Sequence, residues 1–119
     1  MTLRRMKTYT GGQGYVYQYY FVGKRPAVGD LSTAATEYIF DVTSDRKTTY
    51  AVTVILPDQV SKDWAARHGR SLTEAEQYGA VKMRLYRAFD EIEDLKSSGR
   101  RLSVDGPTLE EVLSELGVD

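Results

Sequence analysis

Residues Tyr15-Val16-Tyr17-Gln18-Tyr19-Tyr20-Phe21-Val22 are the strongest constraint on this chain. Their aromatic and β-branched content reads as a strand. Successive side chains of a strand point to opposite faces, so Tyr15, Tyr17, Tyr19 and Phe21 share one face and Val16, Gln18, Tyr20 and Val22 the other. The first set is wholly aromatic and is the natural core face. The second keeps more apolar surface than a solvent-facing strand needs. Any fold must bury one side of this strand and find a use for the other.

Two further segments alternate in the same way. Residues 37–44 oppose Tyr38, Phe40 and Val42 to Ile39, Asp41 and Thr43, and residues 48–56 carry Tyr50, Val52, Val54 and Leu56 on their apolar side. Between them Ser44-Asp45-Arg46-Lys47 is a polar turn, so the pair reads as a β-hairpin. With strand 15–22 it makes a three-stranded antiparallel sheet with one side to bury. Residues 23–36, with Gly23, Pro26 and Gly29, read as a loop.

After Pro57 the period changes to that of a helix. Val60 and Trp64 lie four apart in a helix over 58–67, which Gly69 ends. Thr73 and Glu76 fit a capping box opening a helix over 73–93, whose apolar stripe is Tyr78, Val81, Leu85, Ala88, Phe89 and Ile92. Ser97-Ser98-Gly99 breaks that pattern, and residues 97–106 read as a linker. A short helix over 107–116 follows, with Thr108 and Glu111 as a second capping box and Leu109, Val112, Leu113 and Leu116 as its stripe. The expected fold is therefore α+β, strands first and helices after, in a single domain over 1–119. Residues 1–13, with three glycines nearby, read as a flexible N-terminal segment, and Met6 offers an alternative start.

Composition narrows the chemistry. The absence of cysteine removes disulfides, thiolate metal sites and thiol nucleophiles, and suits a reducing, cytoplasmic setting. No apolar run is long enough to span a bilayer, and no secretory leader is read at the N-terminus. The net charge of −1 hides a gradient, with a balance of +5 over residues 1–29 and −6 over residues 90–119.

No catalytic constellation emerges. His68 is the lone histidine and stands at a helix C-terminus, where the dipole favours it. Gly11, Gly12 and Gly14 precede a strand, without the helix a phosphate loop requires. Glu37, Asp41 and Asp45 do not gather as metal ligands, and Asp90-Glu91-Glu93-Asp94 lacks the spacing of a calcium loop. A helix-turn-helix reading fails because Glu74, Glu76 and Gln77 would meet the phosphates first. Neither cofactor nor metal is expected.

These features point to a non-catalytic interaction module, self-associating as a homodimer or binding a protein partner through Val16, Gln18, Tyr20 and Val22. The alternative is a nucleic-acid-binding sheet that stacks bases on Tyr20 and contacts phosphates through Lys24, Arg25, Arg46 and Lys47. A third reading is an enzyme holding a phosphate-bearing substrate with Arg67, His68 and Arg70.

Overall fold

The computed structural model describes residues 6–12, 14–27 and 34–118. Strands β1 (Lys7–Thr10), β2 (Val16–Pro26), β3 (Ala35–Thr43) and β4 (Tyr50–Pro57) run as an antiparallel meander. Helices α1 (Asp58–His68), α2 (Glu74–Glu91) and the one-turn α3 (Leu95–Ser98) then cross to β5 (Arg101–Ser103), and α4 (Gly106–Glu115) follows. β5 lies beside β4 and parallel to it, so the sheet has five strands in the order β1-β2-β3-β4-β5.

The α+β class is as expected, but the three-stranded antiparallel sheet is corrected to a five-stranded mixed one. Two short strands extend it at its edges. β1 falls within the segment expected to be flexible, where Tyr9 stacks on Tyr86 with ring centroids 4.5 Å apart. β5 falls within the expected linker, and α3 overlaps its start. Three residues with a single apolar member carry too little pattern to read as a strand, yet Leu102 is buried and Val104 donates its amide to the Ile55 carbonyl. β2 is also longer than expected. Val22 is an extra residue, since Phe21 pairs with Phe40 and Gly23 with Ile39, and this bulge carries the strand on to Pro26. Residues 28–33 of the expected loop lie outside the described residues.

One sheet face holds the core. Tyr17 and Tyr19 of β2, Tyr38, Phe40 and Val42 of β3, and Tyr50, Val52, Val54 and Leu56 of β4 are all buried. They meet Ala80, Val81, Leu85, Ala88 and Phe89 of α2, whose Phe89 stacks on Tyr17 at 4.3 Å. Tyr15, expected in this set, precedes the strand and is exposed. α4 buries Leu109, Val112 and Leu113 against α1 and α2. Among the described residues, the helices that cover the sheet therefore all lie on its aromatic face.

The helix ends repeat the logic of the sequence, with one change. Thr73 Oγ1 accepts the Glu76 amide at 3.1 Å, and the Glu76 carboxylate accepts the Thr73 amide at 2.9 Å. Arg70 adds two bonds of 2.9 Å to the same carboxylate, and these are the main reason its pKa falls to about 2. Thr73→Ala is expected to cost about 1 kcal/mol, the usual loss for an N-cap side chain, measured by urea unfolding at neutral pH. At α4 the cap is Asp105, which accepts the Thr108 amide at 2.8 Å, rather than the expected Thr108 with Glu111. Pro107 then occupies the first turn, where its missing N–H costs nothing. Gly69 ends α1 at φ 75°, a left-handed turn that glycine adopts without strain.

Candidate functional site

The candidate site is the other face of the sheet. By register, its side chains stand in rows across the strands: Tyr20, Asp41 and Ala51; then Gly23, Ile39 and Thr53; then Arg25, Glu37 and Ile55. Val16 is 41% exposed and Val22 48% exposed, while Gln18, Tyr20, Ile39 and Ile55 are half-buried. All four residues expected to bind a partner (Val16, Gln18, Tyr20 and Val22) therefore share this face. The β2 bulge leaves Gly23 as the cross-strand neighbour of Ile39, where an added Cβ would meet nothing within 4 Å. That leaves a notch beside an apolar side chain.

One charged residue on this face is buried. Glu37 is only 3% exposed, although none of the helices described above covers it. Two arginines bond its carboxylate. Arg25 Nε donates to Oε1 at 2.9 Å from β2, and Arg101 Nη2 donates to Oε2 at 3.0 Å from β5. Both arginine side chains remain about three-fifths exposed, at 62% and 61%. Each guanidinium therefore meets the carboxylate through one nitrogen while most of its side chain stays in water. The bond from Arg25, aided by that from Arg101, outweighs burial and holds the Glu37 carboxyl below its ordinary value. The group carries one positive charge in excess, and among the described residues the rest of this face is apolar or neutral apart from Asp41. Each guanidinium has five N–H donors and gives one to Glu37, so an incoming acceptor finds donors on both.

The residues of the nucleic-acid reading are not brought together. The bulge turns Lys24 to the helical face, where its ammonium lies 3.5 Å from Glu74 and 5.9 Å from the Tyr38 ring centroid. Arg25 is tied to Glu37 at one end of β3. Arg46 and Lys47 lie in the turn at the other end, about 20 Å away at the rise of an extended strand. In that turn Asp45 accepts the amides of Lys47 and Thr48 at 2.8 and 2.9 Å, and these bonds depress its pKa. Only Tyr20 and Arg25 of the five share the open face.

The Arg67, His68 and Arg70 set is divided too. Arg67 Nε donates to Glu110 at 2.9 Å, and His68 Nε2 lies 3.0 Å from both oxygens of that carboxylate. Arg70 is instead held by Glu76. A carboxylate of α4 thus stands where the substrate phosphate was expected, and the contact ties α1 to α4. Elsewhere, a cleft of about 250 Å³ opens between α1 and the start of α2, lined by Thr36, Leu56, Ser61, Lys62, Leu72 and Gln77 among others. Among the described residues no group of three or more His, Asp or Glu side chains is placed to hold a metal, and no helix is long and apolar enough to cross a membrane.

Sequence reasoning grouped Val16, Gln18, Tyr20 and Val22 on one face but did not place Glu37 and Arg101 beside them. The available signal was an acid on a strand otherwise flanked by apolar and hydroxyl residues. Its meaning depends on β5, which the sequence pattern did not reveal. Compared with known proteins, the chain matches no protein-family model, and neither a curated protein nor a solved structure is significantly similar to it.

Proposed function

We propose that the chain is a non-catalytic interaction module that receives a protein partner on the open face of its sheet. One observation carries this reading. The described helices that cover the sheet lie on its aromatic face, while the opposite face presents Val16, Val22, Tyr20, Ile39 and Ile55 around an arginine pair. Apolar and tyrosine side chains beside an arginine pair are the composition of a contact surface, since they combine large contact area with hydrogen-bonding tips. Scattered charges would serve solubility better on a face that met only water.

A photo-crosslinking residue placed at Val22, with one at Lys62 on α1 as control, tests the reading in purified protein and in extract of the source cells. Discrete protein adducts are expected from position 22 and not from position 62. Equal labelling at the two positions, or none at 22, would overturn it.

A further inference from the structure

The open face is nearly self-complementary in charge. Among the outward residues of β3, Glu37 and Asp41 are evenly spaced about Ile39. Glu37 is the centre of the arginine group with its excess positive charge. Asp41 is the acid two residues beyond Ile39. Two copies stacked with β3 over β3 can be related by a two-fold axis along the strands or across them. The first places arginine group over arginine group, and like charges facing each other oppose it. The second, passing over Ile39, exchanges the two ends and sets each Asp41 against the Arg25–Glu37–Arg101 group of the other copy.

We propose that the partner received by this face is a second copy of the chain, in a two-fold dimer centred on Ile39 and closed by two Asp41-to-arginine contacts. This inference rests on the interaction reading above and names its partner. The geometry is compatible with sheet packing. Asp41 and Glu37 each lie about 7 Å from the axis, so the usual crossing of about 30° between stacked sheets moves them by less than an arginine side chain can span. The notch at Gly23 gives the facing Ile39 side chains room at the centre. Asp41 already makes a contact within its own chain. A carboxylate has about four acceptor positions, so it can take a guanidinium as well. The short strands β1 and β5, of four and three residues, are themselves poor templates for edge pairing. A two-fold contact of this kind also closes on itself and stops at two copies.

Sedimentation equilibrium of the full chain at submillimolar concentration tests the proposal. The expected mass is twice the 13.4 kDa of one chain, with dissociation favoured by salt. Asp41→Lys and Arg25→Glu each set like charges together, and each is expected to weaken the dimer about 100-fold or more. Arg25→Glu leaves Glu37 bonded to Arg101, and circular dichroism checks that both variants fold. Mixing the two is the decisive arm. In the mixed pair the ammonium introduced by Asp41→Lys meets a group turned negative by Arg25→Glu. The native Asp41 of the other chain meets native arginines, so a dimer is expected to return. A wild-type chain that stays monomeric, a mass that climbs past two copies, or a mixture that stays monomeric would each overturn the dimer. The crosslink at Val22 would still decide whether the face binds a different protein.

Discussion

Trp64→Ala is expected to remove about 3–5 kcal/mol of stability, the usual cost of deleting a large buried aromatic. Trp64 is the largest side chain with no exposed surface, stacked on the His68 ring at 4.2 Å and capped by Arg70 at 5.2 Å. Removing it opens a void beside the His68 ring and releases that ring, which reaches Glu110. Trp64→Phe is expected to behave differently. The indole Nε1 is buried with no hydrogen-bond partner among the described residues, and an unmet buried donor costs about 1–3 kcal/mol in the wild-type protein. Phenylalanine removes that donor along with part of the ring, so the net loss should stay below about 2 kcal/mol. Urea unfolding followed by circular dichroism suits both variants, because Trp64 is the only tryptophan. Equal losses for the two would mean that the indole N–H is satisfied.

The second large effect is at Glu37. Replacing Arg25 and Arg101 together by methionine leaves its carboxylate under apolar stems with no counter-charge. The expected cost is about 3–5 kcal/mol at neutral pH, since breaking a buried pair from one side strands the other charge. Adding Glu37→Leu to that double variant should recover most of the loss, because an apolar replacement of the whole group has no stranded charge. The pH dependence follows from the direction of the shift. In the wild-type protein the folded-state pKa of Glu37 lies below its ordinary value of 4.5. The folded state therefore binds fewer protons than the unfolded chain in that range, and the contribution is complete above about pH 4.5 and lost as pH falls through the folded-state value. Denaturation midpoints measured from pH 7 down to pH 3 should fall further for the wild type than for the triple variant. Parallel curves would show that Glu37 has no special role.

What was legible in the sequence follows from how local each signal is. The β3–β4 hairpin, the aromatic face of β2 and the Thr73–Glu76 box each draw on residues within a few positions, and each appears in the structure. The edges of the sheet are different. Lys7-Thr8-Tyr9-Thr10 has one large apolar residue and Arg101-Leu102-Ser103 has another, so neither repeats a pattern long enough to read. Both are strands because Tyr9 and Leu102 find places in a core built by other elements. The open face was half legible. Its residues on β2 follow from period two, but whether a helix covered them depended on where α4 docks, and amphipathic spacing alone does not choose between sheet and helices as its base. The arginine group was not legible at all. Residues 25, 37 and 101 converge only because a bulge turns Arg25 outward and a crossover brings Arg101 beside β4.

That crossover also orders the folding of the chain. β1 to β4 are joined by near neighbours, and their hairpins close with little loss of chain entropy. β5 pairs with β4 only after α1, α2 and α3 have been laid between them, and with three residues it contributes few bonds of its own. The meander is thus expected to form first and the β4–β5 ladder last, an order that pulsed hydrogen exchange would read. Because Arg101 belongs to β5, Glu37 has only Arg25 as an arginine partner until that ladder forms. The last strand to dock is the one that completes the open face.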